Sequence, residues 1–74
     1  MDIRERANQA SAILNNPVFQ ECVEHTKQSL ITQWTNSTDS EEREECWLKL
    51  DALRSVEEDL KATIQNFKIE NNGR

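Results

Sequence analysis

Glycine and proline are almost missing from this chain, with one of each in 74 residues. Few points therefore exist at which a helix must stop or a tight hairpin can form, which argues against a β-sandwich or barrel and for helix throughout. Apolar residues are also scarce, at 35% with a mean hydropathy of -0.87. A single small domain with so little apolar material has trouble building a private core, so association with a second chain is expected to contribute to its stability. No run of about 18 apolar residues could span a membrane. No basic-then-apolar leader opens the sequence, and two cysteines without one fit a reducing compartment where thiols stay free.

Catalytic and metal-binding residue types are equally thin. His25 is the only histidine, and no glycine-rich turn supplies an oxyanion hole or a phosphate nest. The chain therefore reads as non-enzymatic, with His25 on the surface. Cys22 and His25 stand three apart and Cys46 adds a third donor, but a structural zinc site wants four ligands in paired spacings. No metal and no cofactor are expected. A Cys22–Cys46 disulfide also fails, because in a hairpin turning near Asp39 the two lie some ten residues apart along the axis, about 15 Å at the helical rise. The net charge of -5 repels nucleic acid and acidic membrane surfaces, making direct nucleic-acid binding and membrane association unfavourable.

What is present is helical periodicity. Ile3, Ala7, Ala10 and Leu14 recur at steps of four, three and four, marking a first helix over about 2–14 with a thin stripe of small residues. Asn15-Asn16-Pro17 interrupts it: proline disfavours helix at the residue before it but fits the first position of a new one, with Asn16 as N-cap. A second helix over 17–35 carries Phe19, Val23, Thr26, Leu30 and Trp34 on one stripe, with Val18, Cys22 and Ile31 widening it. The polar stretch from Asn36 to Ser40 makes the turn, capped by a Thr38-x-x-Glu41 box or by Asp39 or Ser40. A third helix over about 40–68 repeats Cys46, Leu50, Leu53, Glu57, Leu60, Ile64 and Phe67 at alternating four- and three-residue steps, the spacing that holds one side of a helix against a partner. Residues 1–69 thus form one domain, and 70–74, with no apolar partner, should fray.

The third helix is longer than the second, so in an antiparallel hairpin its distal half overhangs, and the Ile3 to Leu14 arm is the segment available to cover it. The expected helix–helix interface comprises Phe19, Val23, Leu30, Trp34, Trp47, Leu50, Leu53, Leu60, Ile64 and Phe67. Trp34 and Trp47 flank the turn and continue apolar stripes, so both are placed in the core, with hot-spot anchors for a partner as the other reading. Glu57 falls on the seam, where a carboxylate must meet a cation such as Arg4, Arg6 or Lys27; the preferred alternative rotates the stripe to put Val56 there instead. Asp39, Glu41, Glu42, Glu44, Glu45 and Asp51 suit the positive end of the third helix, with an acidic partner-binding patch as the other reading.

Several of these residues together resemble a group of small proteins encoded by tailed bacteriophages. The likeness runs through Arg6-Ala7-x-x-Ala10, Ile13-Leu14-x-Asn16-Pro17-x-Phe19 and Leu30-x-x-x-Trp34, then Glu41-Glu42-Arg43-Glu44 and Trp47-x-x-Leu50 with Leu53 beyond. It implies a short helical hairpin from a head-assembly or packaging gene neighbourhood, located in the host cytoplasm or in the virion. The expected protein is therefore all-α, an antiparallel hairpin with a short N-terminal helix broken at Asn16-Pro17, assembling into a homo-oligomeric bundle of coiled-coil character in a structural or packaging-accessory role. A phage or host protein is a further expected partner. The competing expectation is a small acidic inhibitor of a host enzyme or nucleic-acid-binding protein.

Overall fold

Asn16 and Asp39 decide where the helices of this protein start. The computed structural model describes the backbone of residues 1–72 and the side chains of residues 1–69, and its elements are α1 (Ile3–Leu14), α2 (Pro17–Asn36) and α3 (Ser40–Asn72). Asp2 opens α1, its Oδ1 accepting the Glu5 backbone N–H at 2.8 Å. At the break Asn16 is extended, at φ -71° and ψ 123°, as the following proline requires, and its Oδ1 accepts the Phe19 N–H at 2.9 Å. The two helices stay tied across the break because the Gln20 side-chain amide donates to the Leu14 carbonyl at 2.8 Å.

The second turn uses Asp39, one of the expected caps, and not the Thr38-x-x-Glu41 box. Asp39 is the cap, its Oδ1 accepting the Glu41 N–H at 3.1 Å, while the Ser37 hydroxyl accepts the Asp39 N–H at 3.2 Å. Thr38 is exposed and caps nothing. Asp wins here because its carboxylate reaches the N–H two residues on and also faces the positive end of the helix dipole. At its far end α3 continues through Asn72, past the expected boundary at 68. No proline or glycine lies between Ser40 and Gly73, so helical hydrogen bonding propagates through the polar residues. The remainder of the expected frayed tail, 73–74, lies outside the described residues.

The result is an all-helical antiparallel hairpin, with no strand among the described residues. One limb is α3, about 50 Å long at the helical rise; the other is α2 continued by α1, both packed on α3 and touching each other little beyond the break. Lys27 in mid-α2 meets Glu57 in mid-α3, Trp34 lies beside Arg43 near the turn, and Met1 and Ile3 share a groove with Thr63 and Asn66 at the far end. The molecule is a rod of 53 × 24 × 18 Å, two helices wide.

Its core is a single seam. Ala7, Ala10, Val23, Leu30 and Cys46 are buried, and none of the larger side chains is enclosed completely. On α3 the seam is Cys46, Leu50, Leu53, Glu57, Leu60, Ile64 and Phe67, all buried or half-buried, as the four-three spacing predicts. Val56 does not take the place of Glu57: it is 55% exposed, while Glu57 faces α2 and binds Lys27 Nζ at 2.8 Å. On α2, Thr26 is exposed and Lys27 takes its place in the stripe. The two corrections have one cause, since a seam carboxylate and a seam ammonium at the same level satisfy each other, and neither would be tolerated there alone.

Candidate functional site

A helix one residue off the seam turns its side chain about 100° away from the partner helix. Trp47 follows buried Cys46 directly, and Ile31 follows buried Leu30. Both consequently point out of the hairpin, and because α2 and α3 are antiparallel, they point out on the same side. With Trp34 and Leu50 they line a cleft of about 250 Å³ whose walls are almost wholly apolar. Trp47 is 55% exposed, Ile31 46% and Trp34 39%. The expectation that both tryptophans close the core is therefore corrected: Trp34 straddles the edge of the seam, and Trp47 stands outside it.

The aromatic face is held firmly. Arg43, one turn before Trp47 on α3, lays its guanidinium over the Trp34 ring at 4.0 Å from the centroid. Such a contact adds about 0.5–1 kcal/mol at a partly exposed site and fixes the ring plane. Arg43 Nε is covered and has no hydrogen-bond partner, so the stacking geometry is favoured over hydrogen bonding at that nitrogen. On this rim Trp34 and Trp47 share a second, more polar cleft with Thr38, Ser40 and Glu44. Large aromatic side chains with one locked and one free face are the groups that most often anchor a protein–protein interface.

Of the expected interface residues, Phe19, Val23, Leu30, Leu50, Leu53, Leu60, Ile64 and Phe67 lie in the intrachain seam. Of the acidic residues Asp39 caps α3 and Glu42 is half-buried, while Glu41, Glu44, Glu45 and Asp51 are exposed and, by the helical period, share one outward side of α3, where Glu45 reaches Lys49 at 3.9 Å. Cys22 and His25 sit on the exposed side of α2 while Cys46 is buried in the seam, so the three potential metal donors are not brought together. No cluster of three or more metal-ligating side chains occurs among the described residues. Nor is any described helix long and apolar enough to cross a membrane.

Ile31, which widens the α2 stripe, is missing from the expected interface residues, yet it stands on the side that Trp47 widens on α3. The fold and this face define the class, an all-helical hairpin with a thin internal seam and an aromatic flank beside its turn. Comparison with known proteins adds nothing more specific, for no family, curated protein or solved structure matches the chain.

Proposed function

We propose that this chain is a non-enzymatic assembly protein that acts by self-association of its helical faces, in the structural or packaging-accessory role that its phage-like sequence features suggest. The observation that carries this reading is excess surface. A compact folded monomer of 8.6 kDa is expected to expose about 4,700 Å². The hairpin exposes 5891 Å². The surplus of about 1,200 Å² exceeds the roughly 800 Å² that each partner contributes to a standard interface. Two helices side by side can cover only one stripe of each, and the flank beside the turn leaves Ile31, Trp34 and Trp47 open. A bundle built from two or more hairpins would bury it.

The competing acidic-inhibitor reading draws on Glu41, Glu44, Glu45 and Asp51, which share an exposed side of α3, but Asp39 is engaged in capping, Glu42 is half-buried and Glu45 lies beside Lys49. Absolute mass by light scattering, taken over a wide concentration range at low and high salt, tests the proposal. A dimer or larger species that persists at 1 M salt, where the Debye length is about 3 Å, is the expected result. A monomer at every concentration would overturn it.

A further inference from the structure

Glu24 and Arg54 extend the aromatic face in a way that specifies what covers it and in which direction. Glu24 lies seven residues before Ile31 on α2, and Arg54 lies seven residues after Trp47 on α3. Seven residues are two helical turns, about 10 Å, and return to nearly the same side of a helix. The two helices run in opposite directions, so both steps lead from the turn toward the middle of the rod. Glu24 and Arg54 therefore both sit on the flank that carries the cleft, at levels that differ by about 9 Å at most when counted from the paired Lys27 and Glu57, within the combined reach of their side chains. Both are exposed, Glu24 accepts only a 3.3 Å bond from the Gln28 amide, and neither belongs to an ion pair among the described residues.

We propose that a second copy of this chain docks on the Ile31–Trp34–Trp47–Leu50 face about a two-fold axis parallel to the rod, with both turns at the same end. In that arrangement each α2 lies along the partner's α3. Ile31 and Trp34 then meet the partner's Trp47 and Leu50, and Glu24 lies opposite the partner's Arg54, twice over by symmetry. The alternative two-fold, across the rods, sets α3 against α3 in opposite directions and centres on Trp47. It overlaps only the turn ends, leaves Arg54 beyond the contact, and covers less of the surplus surface. The parallel arrangement uses the whole flank and matches opposite charges along it, which fixes register as well as adding attraction.

This inference rests on the self-association reading above, and the same measurement separates the two. The intact chain is compared by sedimentation equilibrium with Trp47→Glu, Glu24→Arg, Arg54→Glu and the Glu24→Arg/Arg54→Glu double variant, each checked for helix content by circular dichroism. All three positions are exposed, so the hairpins should stay folded. Trp47→Glu is expected to weaken dimerisation by about 100-fold or more. Each charge reversal should weaken it by about tenfold, since two like-charge contacts form per dimer, and the double variant should recover most of that loss. A monomeric wild type would overturn self-association altogether. A wild-type dimer indifferent to Trp47→Glu would overturn the face, and a double variant no better than the single ones would overturn the parallel arrangement.

Discussion

The two ends of this rod solve the packing problem in opposite ways. At the far end α1 meets α3 through Ala7 and Ala10, each only 4% exposed, and the small side chains let the two backbones approach closely. Near the turn, α2 meets α3 beside the two largest side chains in the protein, and both tryptophans remain substantially open to solvent. Burial here follows angular position on the helix, not side-chain size. Alanine on the seam is enclosed, while tryptophan one residue off the seam is not, because a step of 100° carries a side chain clear of the single neighbouring helix. The far end thus closes its seam with alanine while Met1, Ile3 and Ile69 stay exposed, and the near end holds its exposed apolar area largely in aromatic rings.

This contrast can be broken from either side. The largest effect is expected at Leu30, only 8% exposed and the buried residue nearest the aromatic face. Leu30→Ala should cost about 2–3 kcal/mol, enough to unfold much of so small a domain, as read by urea titration. At the far end Ala10→Leu should cost about 2 kcal/mol by forcing α1 off α3, and hydrogen exchange should show protection lost in α1 while α2 retains it. Equal loss across all three helices would mean that the ends are not distinct.

The ion pair midway between them sharpens the comparison. Glu57→Ala leaves Lys27 half-buried beside a small gap, and a loss of about 1–2 kcal/mol in thermal unfolding is expected. Lys27→Met/Glu57→Leu should return to wild-type stability or exceed it, since an apolar pair fits the same seam without desolvating charge. If the double variant were instead as unstable as Glu57→Ala, the pair would have to be holding the helices together rather than setting their register. The smallest effect belongs to Trp47. In dilute solution, where association is negligible, Trp47→Ser should change monomer stability by no more than about 0.5 kcal/mol, despite removing the largest type of side chain. A larger loss would place Trp47 in the core after all.

Much of this fold is legible in the chain. The α3 stripe from Cys46 to Phe67 faces the opposite limb residue for residue, and the break at Asn16-Pro17 falls where proline geometry and asparagine capping require it. Along the seam, each slip was by a single residue, whereas the end of α3 lay four residues beyond its expected place. Thr26 gave way to Lys27, Val56 to Glu57, and Trp47 moved from core to surface. Hydropathy favours threonine over lysine and valine over glutamate at a seam, and it cannot register that Lys27 and Glu57 sit 2.8 Å apart and neutralise each other. The candidate face was harder to find, since its members lie on two helices and are joined only when those helices fold back.

Sequence alone determined that this protein is helical, that it has three helices, where two of them begin, and which stripe of α3 is covered. Those properties follow from local backbone preference and from the 3.6-residue period, which act within a few turns of one helix. Only the tertiary structure decided that Lys27, of the three candidate cations, pairs with Glu57 in the seam, and that Ile31, Trp34, Trp47 and Leu50 gather on one outward side. Those depend on the rotation of each helix about its axis and on the level at which the antiparallel limbs meet. Both are settled by packing between residues distant in the chain.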